Sequence, residues 1–335
     1  MVSKENVQEK LGSIVVPGCM RSLSSLNLVK EVRLSDSTAD ITLYSSAVNT
    51  DAQDWLREKI SETIKQLSGI DKVNIDFIGA KPKDVNSVKK VVAVMSGKGG
   101  VGKSLVTSLL SVALSRKGKE AGILDADITG PSIPKMFGLT NVRPSGNDAG
   151  ILPVLSKGGT SVMSINLVLE HEDDAVIWRG PLIGKAIQQF WEDVLWGNLD
   201  CLLVDLPPGT ADAPLTVMQS LPVSGVVLVF SPQELAAMVV KKAVKMAKQM
   251  NKPILGVVEN MSYFSLPDSG KKLELFGKSR GDEMAQVTGA PLLGKIPVDP
   301  QLAQLCDNGE IEKYTSDAFE ELAQNFIQVL EKENK

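Results

Sequence analysis

The segment Gly97-Lys98-Gly99-Gly100-Val101-Gly102-Lys103-Ser104 places four glycines, two lysines and a hydroxyl in eight residues. Those residue types in that order suit polyphosphate binding. Glycines let the chain curl until successive backbone N–H groups face one anion, and a helix that follows adds the positive end of its dipole. The spacing G-x-x-x-x-G-K-S/T makes Gly97 to Gly102, with Val101 among them, the cradle. It makes Lys103 the charge for the β- and γ-phosphates and Ser104 the hydroxyl for Mg2+. Lys98 has no part in that scheme. It is either a solvated surface lysine or a charge carried to the nucleotide of a second, facing copy, as an arginine finger acts in trans.

Carboxylates stand where such a loop would need them. Asp125 ends the apolar run GILD, Asp127 follows two residues later, and Asp205 ends the run CLLVD. The carboxyl ends of strands are where open α/β sheets bind ligands. Asp205 precedes Leu-Pro-Pro-Gly, so a metal-side acid is followed by a rigid bend. Pro208 and Gly209 of that bend read as a switch, with the Gly209 N–H offered to a γ-phosphate. Asn260 follows the run ILGVV and Glu259 at another strand end. Turn and cap chemistry alone would also account for Asp125, Asp127 and Asn260. The reaction such a set serves is in-line phosphoryl transfer to water, driven by positioning and charge neutralisation.

These residues require a frame. Short apolar runs at VVAVM (91–95), GILD, CLLVD, GVVLVF (225–230) and ILGVV (254–258) alternate with helical segments. This is the pattern of a mostly parallel sheet covered by helices on both faces. The segment before residue 80 differs. A short helix near the start, two alternating strands in LVKEVRLSDSTADITLYSS, an amphipathic helix carrying Trp55, Ile60, Ile64 and Leu67, and the strand KVNIDFI predict a small α/β domain. The expected division is 1–80 for that domain, 81–89 for a polar linker and 90–335 for the nucleotide-binding domain.

Composition narrows the function. Apolar residues make up 43% of the 335, enough for a large core, while the net charge of −4 argues against a general nucleic-acid binder. No run of 18 apolar residues is present, so no membrane span is expected. Cys19, Cys201 and Cys306 are odd in number and far apart, which fits reduced thiols and a cytoplasmic location. Cys201 reads as core, Cys306 as helical, and Cys19, after Pro-Gly, as exposed.

KGGVGKS behind an apolar strand resembles the deviant Walker A loop of the ParA/MinD/nitrogenase-reductase group of P-loop ATPases. LDADITGPSIPKMFGL (124–139), RGPLIGKAIQQFWEDVLWGNLDCLLVDLPPGTAD (179–212), ENMSYF (259–264) and PLLGKIPVDP (291–300) are similar to the Mrp/ApbC branch, whose members are described as iron–sulfur cluster carrier ATPases. The resemblance covers about residues 90–310. It implies ATP as nucleotide, Mg2+ as metal, and a homodimer closed across two nucleotides with Lys98 reaching the partner's phosphates. It further implies that Asp127 positions the attacking water, that Asp125 and Asp205 order the metal's water shell, and that Asn260 contacts adenine. Iron–sulfur apoproteins or assembly factors are the implied partners. The N-terminal segment resembles a small domain shared with cytosolic iron–sulfur assembly factors. The chain departs from the branch at one place. Relatives follow ENMSYF with a Cys-x-x-Cys that holds a bridging 4Fe–4S cluster, but here those positions are Leu266 and Ser269, so no cluster ligands are identified. Two other readings stay open: a cluster-free nucleotide-gated adaptor or scaffold, and a MinD/ParA-like positioning ATPase.

Overall fold

In the computed structural model the described residues are 3–127, 130–168, 180–209, 212–233 and 236–332. By their contacts they form two compact units. One comprises Met1–Lys89 with Arg143–Leu155 and Gln189–Asp200. The other comprises Lys90–Val142 with Ser156–Gln188 and Cys201–Lys335.

In the first unit, helix α1 (Lys4–Gly12) starts where the Ser3 hydroxyl accepts the Asn6 N–H. Strands β1 (Val29–Ser35) and β2 (Thr38–Tyr44) are antiparallel, and β3 (Lys72–Ile78) joins β2 in parallel. The crossover between β2 and β3 is helix α2 (Thr50–Lys65), capped by the Asn49 side chain on the Ala52 N–H. Its buried stripe is Ala52, Leu56, Ile60 and Ile64, spaced by four. Trp55 falls one position off that stripe and is 42% exposed, so the expected core role passes to Leu56. Cys19 also departs from expectation: it is buried, and its neighbour Met20, in left-handed backbone, is the exposed residue. Segment 81–89 contains a one-turn helix, Pro82–Val85, and the pair Ser87–Val88, which bonds in parallel to Asn198–Leu199.

The second unit is built on seven parallel strands: β4 (Val91–Ser96), β5 (Ala121–Asp125), β6 (Ser161–Ser164), β7 (Cys201–Asp205), β8 (Gly225–Phe230), β9 (Ile254–Glu259) and β10 (Leu292–Lys295). Their spatial order is β10-β9-β8-β4-β7-β5-β6. Every residue of β4, β5, β6, β7 and β8 is buried, as expected of strands covered on both faces. Helix α3 (Lys103–Arg116) follows β4 and buries Val106 to Leu114. The last helix, α4 (Asp317–Lys332), buries Phe319, Leu322, Ala323, Phe326 and Leu330 on one face, with Asp317, Glu320 and Glu321 exposed on the other. Among the described residues no helix is long and apolar enough to cross a membrane. Register matters most for the site: Asp205 pairs with Asp125 across β7 and β5, and with Val94 on β4. The sheet therefore brings both strand-end carboxylates to the edge from which the glycine loop departs.

Candidate functional site

The loop between β4 and α3 turns through two left-handed glycines, Gly100 and Gly102, both at φ +79°. Gly102 is the residue before the first helical turn, so the N-terminal N–H groups of α3 open directly onto the loop. A side chain at Gly102 has no room, because a Cβ there would lie 2.1 Å from Asn260 Nδ2. Asn260 is itself buried and donates its amide to the Val101 carbonyl at 2.9 Å. Here its side chain braces the loop from below. Gly97 and Ser104 flank the loop, and the Ser96 hydroxyl donates to the Lys98 carbonyl at 2.9 Å.

At the sheet edge the charges converge on Asp205, which is fully buried. Its Oδ2 accepts from Lys103 Nζ and from Ser104 Oγ, both at 2.6 Å. Its Oδ1 accepts from Thr107 Oγ1 at 2.7 Å. Asp127 Oδ2 lies 3.7 Å from the same Lys103 ammonium. Asp125 is fully buried, accepts the Asp127 N–H at 3.2 Å and accepts the Ser164 hydroxyl at 3.2 Å. Burial, then the neighbouring Asp205 charge, push the Asp125 carboxyl up to about 8, with Lys103 pulling the other way. One ammonium thus serves a crowd of carboxylates, and Asp125 holds its proton at neutral pH. All oxygens and one cation, this donor set suits a hard divalent ion such as Mg2+ together with phosphate.

The remaining predicted residues fall around that centre. Pro208 flanks the loop, its Cβ 3.8 Å from where a Gly99 side chain would begin. Gly209, at φ +98°, donates its N–H to the Ser96 carbonyl at 3.0 Å. Lys98 is exposed, and its ammonium meets Gln233 Oε1 at 3.3 Å. Four residues had no sequence-based assignment: Thr107, Ser164, Gln233 and Glu259. Thr107 was within reach of pattern reasoning, since it sits four residues after Lys103 on the same helical face. Ser164 and Gln233 carry no such signal. Glu259, buried next to Asn260, accepts from Ser262 Oγ at 2.5 Å, Ser279 Oγ at 2.7 Å and the Arg280 N–H at 2.7 Å.

A parallel sheet, a glycine loop running into a helix, and a lysine, serine and aspartate gathered at the strand ends define a P-loop nucleotide-binding protein. Comparison with known proteins agrees. The family described as ParA, NUBPL iron-transfer P-loop NTPase, matches residues 87–332. An iron-sulfur cluster carrier protein of Methanocaldococcus jannaschii is 42% identical over 254 residues, covering 74% of this chain and 88% of that protein. One from Helicobacter pylori is 34% identical and covers 100% of this chain and 95% of its own length. Among solved structures, a nucleotide-binding protein from Archaeoglobus fulgidus in complex with ADP aligns with a TM-score of 0.63 and 47% identity, covering 70% of this chain and 91% of the other. MinD from Aquifex aeolicus, at 22% identity and a TM-score of 0.50, shares the fold. The chain belongs to the iron-transfer P-loop NTPase family, in the Mrp/ApbC branch.

The positions at which the resemblance implies a cysteine pair, Leu266 and Ser269, lie in the loop of a small hairpin, Phe264–Ser265 against Lys272–Leu273. Leu266 donates its N–H to Lys271 and accepts that of Gly270, and Ser269 is exposed. A leucine has no donor for iron, and a serine hydroxyl is a poor match for a cluster that requires soft thiolates. The thiols lie elsewhere. Cys19 and Cys201 are buried, burial pushes the Cys19 thiol up, and burial with the adjacent Asp307 pushes Cys306 up to about 11. Among the described residues no group of three or more His, Cys, Asp or Glu could hold a metal ion without help from other ligands. The hairpin does not fit a 4Fe–4S cluster.

Proposed function

We propose that this protein binds ATP with Mg2+ and hydrolyses it to ADP and phosphate, working within iron–sulfur cluster assembly as a homodimer closed across two nucleotides. The observation that carries the reading is the convergence of Lys103, Ser104 and Asp205 within 2.6 Å contacts at the mouth of the glycine loop. The N–H groups of Gly97 to Ser104 bind the phosphates, Lys103 neutralises them, and Asn260, next to the loop, takes the adenine. Ser104 would hold Mg2+ directly, with Asp125 and Asp205 ordering its waters. When bound, the ion would neutralise charge that builds on the transferring phosphoryl group. Asp127, the carboxylate nearest the Lys103 ammonium outside the Asp205 pair, orients the attacking water. Gly209 exchanges its bond to Ser96 for the γ-phosphate, which makes Pro208 and Gly209 the switch. Lys98, exposed and bonded to Gln233, crosses to the facing copy.

The iron–sulfur part of the reading rests on family membership, and the partners it implies are iron–sulfur apoproteins or assembly factors in the cytoplasm. The absence of any thiol at Leu266 and Ser269 favours a cluster-free, nucleotide-gated adaptor over a carrier that holds the cluster itself. The MinD/ParA-like positioning reading has weaker support, because α4 presents an acidic rather than a basic polar face. Two substitutions test the ATPase half. Lys103→Ala is expected to abolish ATP hydrolysis. Lys98→Ala is expected to keep nucleotide affinity within about twofold while ATP-dependent pairing, read by light scattering, is lost. Wild-type turnover in both variants would overturn the assignment.

A further inference from the structure

Asp205 is fully buried, and three side chains of one helix supply its hydrogen bonds. They divide unequally. Lys103 and Ser104 both bond Oδ2, and both are the groups that phosphate and metal would recruit. Thr107 bonds Oδ1 from the buried side of the helix and, among the described residues, has no other charged partner. Its hydroxyl also lies 3.0 Å from the Lys103 carbonyl, the usual back-bond of a helical threonine. A hydroxyl has one proton to give. The shorter contact to a charged acceptor takes it, and the carbonyl keeps its helical partner.

We infer that Thr107 is a positioning residue for the metal-side carboxylate: it is the donor that holds Oδ1, while the groups that phosphate and metal would recruit both sit on Oδ2. Once phosphate recruits Lys103, a carboxylate held at Oδ2 by Ser104 alone would be free to turn about its Cβ–Cγ bond. With Oδ1 pinned, Oδ2 keeps facing the loop, where it is needed. The hydroxyl touches neither phosphate nor metal. Its effect is expected in how tightly the ion is held, not in how tightly the nucleotide is held without the ion. This inference rests on the Mg2+-nucleotide reading given above.

The test uses the full chain with ADP and Mn2+ as probes, free Mn2+ being counted by its electron paramagnetic resonance signal. Thr107→Val keeps the shape and removes the donor. It is expected to weaken Mn2+ binding in saturating ADP by about tenfold or more, the size of a lost hydrogen bond to a charged group. ADP affinity without metal is expected to stay within about twofold of wild type, and Thr107→Ser is expected to restore Mn2+ binding. Unchanged Mn2+ affinity in Thr107→Val overturns the inference, and so does an equal loss of ADP affinity with and without metal. If the valine variant does not fold, Thr107→Cys, a near-isostere with a weak donor, takes its place, and wild-type Mn2+ affinity there overturns the inference. A wild-type protein that binds ADP but no Mn2+ overturns the underlying reading instead.

Discussion

Three carboxylates around one ammonium is an electrostatic excess, and the protein resolves it with a proton. Asp125 pairs with Asp205 across adjacent strands, both are fully buried, and Lys103 is already committed to Asp205 at 2.6 Å. The cheapest resolution is a neutral Asp125, held up at about 8 against an ordinary 3.8. The sign of the consequence is fixed. The folded chain keeps a proton that the unfolded chain releases, so stability from this group is full below about 3.8 and is lost as pH rises toward about 8. Asp125→Asn carries the neutral form permanently. In the nucleotide-free protein its denaturation midpoint is therefore expected to fall less between pH 5 and pH 8 than that of wild type, measured by urea titration across that range. Equal slopes for both proteins would show that the proton sits elsewhere. The glycines belong to the same scale. Gly102 is required twice, by its left-handed backbone and by the Asn260 amide that fills the space a Cβ would need.

At the scale of elements, the strand-end turn Glu259-Asn260 links two structures. Asn260 braces the phosphate loop through Val101, while Glu259 fastens both ends of the segment that carries the hairpin, through Ser262 on one side and Ser279 and Arg280 on the other. Glu259 is fully buried, and among the described residues its side chain is met by these three donors and no cation. Glu259→Gln puts an amide N–H against groups that already donate. The expected loss is about 1–3 kcal/mol of stability, read as a lower thermal midpoint, with trypsin cleaving sooner at Lys271 and Lys272, the exposed lysines of the hairpin. An unshifted melt with unchanged cleavage would mean that the staple carries no weight. The phosphate loop, its helix and the strand-end aspartates were legible in the sequence because each is signalled locally, by glycine spacing or by an acid closing an apolar run. Thr107, Ser164 and Glu259 were not, because their roles depend on which distant strand end arrives beside them. Trp55 and Cys19 were misread for a related reason: a helical stripe can be drawn one residue off, and a residue after Pro-Gly can turn inward.

At the scale of the whole molecule, the two compact units draw on the chain differently. The second reads as alternating strands and helices, and most of the family match over residues 87–332 falls on it. The first recruits Arg143–Leu155 and Gln189–Asp200 from far along the chain. Gln189–Asp200 is rich in aromatics, with Phe190, Trp191 and Trp196, yet nothing in the sequence pattern ties it or Arg143–Leu155 to that unit. The glycine loop gathers Lys103, Ser104 and Asp205 at the strand ends, while the hairpin at Leu266 and Ser269 holds no thiol. The chain's three cysteines lie elsewhere: Cys201 within β7, Cys19 in the other unit's core, and Cys306 on a helix, its thiol pushed up to about 11 by burial and Asp307. Anaerobic reconstitution with iron and sulfide, followed by desalting, is therefore expected to leave well under one iron per chain and no broad charge-transfer absorbance in the visible. The control is decisive in the other direction. Leu266→Cys with Ser269→Cys restores the spacing at the hairpin positions, and iron retained by that double variant but not by wild type would locate the loss at these two residues. Iron retained equally by both would mean that wild type holds a cluster through ligands other than this hairpin, and the cluster-free adaptor would have to be abandoned.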